Sequence, residues 1–161
     1  MRKNLTLAFF ALFCALTAAA QLHNDDVHVH EAVSRQNYRQ YLRIPDIGGY
    51  ITLKCDFHLH SDISDGQVWP VGRVNEAWNE GLDAIAITEH IEYRPRVKEG
   101  LVCGDQNQSY KIAAEAGERM GILVVPGAEI TRQKPFGHMN AFFLTDANAL
   151  DTDDPVQAVG N

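Results

Sequence analysis

The sequence predicts an α/β fold built on a parallel sheet. Three observations carry that prediction. Short, nearly continuous apolar runs stand at 82–88 and 122–125, a segment of helical periodicity precedes each, and Gly81 and Gly121 close those segments. Strands buried on both faces have no solvent side, so they read as unbroken apolar runs and not as alternating ones.

Residues 21–50 lack a sustained period and read as an N-terminal extension, with Ile44-Pro-Asp-Ile-Gly-Gly49 as a turn-rich boundary. Ile51 to His58 reads as the first strand. Pro70 opens a helix at the position where its missing N–H costs nothing, and Val71, Val74, Ala77 and Trp78 form its apolar face. Leu82 to Thr88 is the second strand. A second helix fits Gln106 to Met120, with Ile112, Ala113, Ala116 and Met120 facing inward, and Ile122 to Val125 is the third strand. Only the seven residues from Thr131 to Gly137 separate Glu129-Ile130 from the run His138 to Leu144. A crossover helix needs a dozen or more, so this pair reads as a hairpin. The ending, Asp151 to Asn161, shows no strand or core pattern.

Residues 1–20, MRKNLTLAFFALFCALTAAA, combine Arg2 and Lys3 with an apolar run and the small residues Ala18-Ala19-Ala20. That is the pattern of a signal peptide cleaved after Ala20, and the run is short for a transmembrane helix. The expected location is therefore periplasmic or extracellular, with no stable membrane insertion after cleavage. A lipoprotein anchored at Cys14 would begin with Ala15 to Ala20 and no polar tether. Cleavage removes two basic residues and no acid, leaving twelve basic against twenty-one acidic residues, a net charge of −9. So acidic a chain is a poor polyanion binder, which argues against duplex nucleic acid as a partner. Cys55 and Cys103 do not make a disulfide scaffold, and Cys55, starting a core strand, reads as a buried free thiol.

Two of the seven histidines fall in the stretch CDFHLHSDISDG at 55–66. Residues i and i+2 of a strand share a face, so His58 and His60 point the same way, roughly 7 Å apart, while Phe57 and Leu59 point into packing. Asp65 and Gly66 follow at the turn, His90 follows the second strand, Glu129 follows the third, and the hairpin returns His138 to the same end. Each alone has an ordinary reading: Asp65-Gly66 as a turn, Glu89 as a helix-dipole partner of the segment it opens, Glu129 as a loop acid. Six ligand-type groups delivered by four segments to one rim, where α/β barrels place their active sites, point instead to a metal site. Arg94, Arg96 and Arg132 lie just beyond ligand segments and are either surface charges or a bidentate phosphate clamp. His23, His28 and His30, in HNDDVHVH, read as part of a solvated extension.

The segments HLHSDISDG, AIAITEH and PGAEI, with a histidine shortly after, occur in order over residues 52 to about 146 and resemble the PHP (polymerase and histidinol phosphatase) superfamily. The resemblance implies a distorted (β/α)7 TIM-like barrel with two or three divalent metal ions that hydrolyses phosphate esters. Carried over residue by residue, it implies His58, His60, Asp65, His90, Glu129 and His138 as ligands. Glu129 would bridge two ions, and Glu129 and Asp65 would be the carboxylates of the catalytic centre. Glu89 stands where the family usually has aspartate. A further histidine and a C-terminal D-x-H motif have no counterpart here. The expected organisation is therefore a signal peptide at 1–20, an extension at 21–50, and the N-terminal part of a PHP domain at 51–161, truncated and inactive alone.

The function so implied is that of an exported phosphoesterase acting on a small phosphorylated substrate, with hydroxide generated on paired metal ions. Mixed imidazole and carboxylate ligation suits zinc, manganese or iron. No P-loop or nucleophilic serine or cysteine motif is visible. Two rival readings stand beside it: a noncatalytic metal- or ligand-binding protein, and an amidohydrolase on a related barrel.

Overall fold

The computed structural model describes residues 38–161. The signal-peptide segment and His23, His28 and His30 lie outside the described residues. The elements run β1 (Cys55–Leu59), α1 (Pro70–Asn79), β2 (Ala84–Ile87), α2 (Pro95–Lys98), α3 (Gln108–Met120), β3 (Leu123–Thr131) and β4 (His138–Phe142). A 3-10 helix (Ala147–Leu150) and α4 (Pro155–Gly160) follow.

The strands form one sheet in the order β1-β2-β3-β4, parallel across the first three and antiparallel at the β3–β4 hairpin. Helices α1 and α3 cover one face. Val74 and Ala77 of α1, Ala113 and Ala116 of α3, Ile85 and Ile87 of β2, and Ile122 and Val124 make the core between them. Pro70 occupies the first turn of α1, and Gly121 ends α3 in the left-handed conformation that a side chain resists. Ile112 departs from the expected inward face: it is only half-buried and stands outside that core, whereas Gly117 is buried within 2.7 Å of Val124 as judged by the place its Cβ would take.

Three expectations need correction. The first strand begins at Cys55, not Ile51, because the Lys54 amide is taken by the Asp83 carboxylate at 2.9 Å, and Ile51 and Leu53 remain exposed. Cys55 is a free thiol but an exposed one, since β1 is an edge strand of this sheet. The ending at 151–161 does reach the core, through one residue: Ala158 packs with Ala147 and Leu150, which precede it, and with Ile91, Ala128 and Ile130 in a second apolar cluster. Three small or single apolar residues separated by polar ones gave that cluster no visible period.

The strict alternation expected for β1 also fails, and the failure shapes the site. Asp56 pairs with Ile85 and Leu59 with Ile87, so three steps along β1 match two along β2. That is a bulge, which places an extra residue at Phe57-His58 and re-aims the side chains there. Leu59 packs against the helix-side core, while Phe57 meets Phe142 with ring centroids 5.7 Å apart. These phenyl rings belong to the two outermost strands, whose backbones would stand roughly 14 Å apart in a flat sheet. The sheet is therefore curled, in the manner of a half-barrel, with the aromatic pair on its concave face.

Candidate metal centre

The concave rim is built by position before it is built by chemistry. β3 runs on past its pairing with β2, and the hairpin register matches Thr131 to His138 and Glu129 to Asn140. His90 pairs in parallel with Glu129 just beyond the end of β2. Glu129 and Thr131 share one face of β3 by the two-residue period, His58 and His60 meet on one side by the same period, and the bulge in β1 turns Phe57 to the concave face.

Glu129 sits at the middle, only 3% exposed. Its Oε1 lies 2.6 Å from His138 Nδ1, and its Oε2 lies 3.2 Å from His60 Nε2 and 3.1 Å from His90 Nδ1. Asp65 reaches in from the turn after β1, with Oδ2 3.3 Å from His90 Nε2 and Oδ1 3.6 Å from His60 Nδ1. The His58 and His60 rings meet edge to face at 5.0 Å, and His60 stacks on His90 at 4.4 Å. Burial, reinforced by the neighbouring His90, holds the His60 imidazole below its ordinary pKa and so favours the neutral form, the one that can ligate.

All six histidine, aspartate and glutamate residues expected at the rim are brought together. Their ligand atoms fall into three overlapping trios, each within 4.8 Å: His58, His60 and Glu129; His60, Asp65 and His90; His90, Glu129 and His138. Two atoms at the centre, Glu129 Oε2 and His60 Nδ1, are buried without an aligned hydrogen bond. Buried acceptors left in this way are costly. A divalent cation would satisfy both, and mixed imidazole and carboxylate donors suit such an ion. The residues present therefore fit a metal.

Four further residues support the rim without having been singled out in the sequence. Thr88 Oγ1 stands 3.0 Å from His58 Nδ1, and Thr131 Oγ1 stands 2.5 Å from His90 Nδ1. Such contacts fix ring orientation and tautomer. Each threonine lies two residues from a candidate ligand, Thr88 from His90 and Thr131 from Glu129, so the strand period itself was the available signal. Ser61 and Ser64 bond their hydroxyls to Glu89, whose carboxyl is pushed above its usual pKa chiefly by burial.

The three arginines are dispersed. Arg94 is buried, its guanidinium bonded to the Gly104 and Cys103 carbonyls and to Gln106 Oε1. Arg132 pairs with Glu92 at 2.8 Å, and both line a cavity of about 450 Å³ with Arg94 and Asp151. Arg96 is held only by a 3.5 Å contact to Asp62 and shares a second cavity, about 410 Å³, with Asp65, Tyr93 and Gln67. Arg96 thus lines a cavity with the candidate ligand Asp65.

No protein-family model and no curated protein matches the chain. Among solved structures it is similar to a two-domain protein from Bacteroides vulgatus containing a predicted PHP-like metal-dependent phosphoesterase. The identity is 51% and the TM-score 0.72, over 76% of this chain and 35% of that one. It is also similar to a provisionally assigned metal-dependent phosphoesterase from Bifidobacterium adolescentis, at 24% identity and a TM-score of 0.48, over 68% of this chain and 33% of that one. An amidohydrolase from Chromobacterium violaceum follows at 23% identity and a TM-score of 0.44, over 66% and 31%. The chain thus spans about a third of the length of the solved structures it matches. The ordered motifs of the rim and the 51% identity to a PHP-like protein agree: this chain belongs to the PHP superfamily.

Proposed function

We propose that this chain contributes the metal centre of an exported phosphoesterase that hydrolyses small phosphate esters on a (β/α)7 barrel. One observation carries the proposal: three chain segments converge on the buried Glu129 carboxylate of a fourth, surrounding it with His60, His90 and His138. His58, His60, Asp65, His90, Glu129 and His138 would hold two or three ions of zinc, manganese or iron. Such ions, when bound, supply charge to a phosphoryl group and a water of lowered pKa.

The chain's own residues then have separable tasks. Glu129, with one oxygen toward His138 and the other toward His60 and His90, contributes the shared negative charge that lets two cations lie close together. Thr88 and Thr131 hold the His58 and His90 rings in place. Arg96 is the arginine placed to meet a substrate anion, because its cavity adjoins Asp65 and its hold on Asp62 is loose. Arg94 and Arg132 would act on a substrate only by giving up their present partners. The chain spans 35% of the length of the PHP-like protein it matches, and turnover by this chain alone is expected to be poor. Export rests on the pattern of residues 1–20.

The test is elemental analysis of purified protein, together with hydrolysis of an aryl phosphate by a protein that carries this segment at the full length of its relatives. Metal bound at the rim and chelator-sensitive hydrolysis are expected. Bound metal without hydrolysis of any phosphate ester would favour the noncatalytic binding protein, and no bound metal would overturn both readings.

A further inference from the structure

We infer that Glu89 is the positioning residue that holds three ligand-bearing segments in register, an inference that rests on the metal-centre reading. Glu89 is 3% exposed, and the side-chain hydrogen bonds it makes among the described residues go to Ser61 and Ser64. Its carboxylate accepts the Ser61 amide at 3.1 and 3.2 Å and the hydroxyls of both Ser61 and Ser64, which are themselves buried. Ser61 directly follows His60, and Ser64 directly precedes Asp65. One carboxylate therefore clamps both ends of the turn that delivers two ligands.

The main chain of the same residue does the rest. Glu89 is bonded covalently to His90, and its carbonyl accepts the amide of Glu129 at 2.9 Å. Segments one, two and three of the rim thus meet at a single amino acid. A carboxylate suits this place, because both of its oxygens accept and an amide and two hydroxyls face it. Glutamine would keep one accepting oxygen and lose the second, so that one serine hydroxyl must give up donating to the side chain and accept from its NH2 instead. Aspartate is shorter by one methylene, about 1.5 Å, and would not span both serines from the same backbone position.

Cobalt(II) titration of the full chain, followed by visible absorption, reads ligand geometry without requiring turnover. The wild-type chain is expected to bind cobalt. Glu89→Gln should bind it about 10- to 100-fold more weakly with an altered spectrum, the range usual for lost support of a ligand. Ser61→Ala combined with Ser64→Ala should shift affinity and spectrum in the same direction, and decides the matter if Glu89→Gln fails to fold. A cooperative thermal transition in the variants assigns the loss to positioning and not to unfolding. Wild-type affinity and spectrum in the folded double variant would overturn the inference while leaving the metal centre standing. Failure of the wild-type chain to bind cobalt would instead overturn the metal-centre reading and this inference with it.

Discussion

His138 Nδ1 stands 2.6 Å from Glu129 Oε1, although the hairpin register pairs His138 with Thr131 and not with Glu129. The contact is diagonal, from the first residue of β4 back across β3. Glu129→Gln keeps the side-chain volume but removes the charge on which three imidazoles converge. Loss of at least one bound ion is expected, without rescue by excess metal, whereas His58→Ala should be partly rescued because His58 lies at the exposed margin of one trio. Metal content by elemental analysis over a range of added zinc checks both.

Gly66 allows the first ligand turn to close. A Cβ there would lie 2.7 Å from the His60 carbonyl oxygen and equally close to the Ser61 backbone, and the Gly66 amide donates to the Ser61 carbonyl at 2.8 Å. Gly66→Ala must push the turn apart and displace Asp65 from His60 and His90. Metal affinity should fall about tenfold or more, within the range for displaced ligand support. Isothermal titration with zinc measures it, and unchanged affinity would show that Asp65 is dispensable.

Away from the rim, acid sensitivity should come from carboxylates held below their usual pKa, Asp83, Asp105 and Asp146. The Lys54 side chain, with its amide, holds Asp83 below the usual aspartate pKa, and Lys111, Asn107 and Asn148 do the same for Asp105. These folded-state values lie below the unfolded one, about 3.9. Their stabilisation is therefore present above that value and lost as pH falls through the depressed folded values. Thermal melts of the chain should decline below about pH 4, and Asp83→Asn and Asp105→Asn should each flatten that decline while lowering stability near neutrality. A melting temperature independent of pH in this range would refute the assignment.

Leu150→Ala tests the second apolar cluster. Leu150 is 3% exposed against Ala147 and Ala158, and large-to-small changes of this kind cost about 2–5 kcal/mol. Chemical denaturation should show a loss at the lower end of that range, given the small neighbours. A loss near zero would mean that residues 147–160 do not contribute to folding.

The strands and helices of the α/β layer were legible because Ile85, Ile87, Val74 and Ala113 repeat with the periods of their elements. The hairpin was legible from the shortness of 131–137 alone. The bulge was not: Asp56-Phe57-His58-Leu59 alternates cleanly on paper, and only pairing with β2 reveals the extra residue. The buried state of Arg94 was equally hidden, since its partners are carbonyls of Cys103 and Gly104, and a backbone acceptor has no sequence signature. The candidate ligands could be read because each lies at or near the rim end of a strand, although Glu129, expected to follow the third strand, lies within β3, which runs on to Thr131. Their hydroxyl partners, Ser61, Ser64, Thr88 and Thr131, could not be ranked above other polar residues without coordinates.

Because β4 runs against β3, the connection through residues 132–137 emerges at the same rim as Glu129 and His138, not at the far end of the sheet. The five paired positions from Gly127–Phe142 to Thr131–His138 fix the strands below it. Residues added or exchanged between Arg132 and Gly137 therefore leave the carboxylate and its imidazole where they are. Heredity can work on the two parts separately: the paired strands are constrained residue by residue, while the tip above them is free to lengthen, shorten or change its charge. Divergence among related chains should concentrate at that tip, and a new substrate preference can arise there by loop exchange alone.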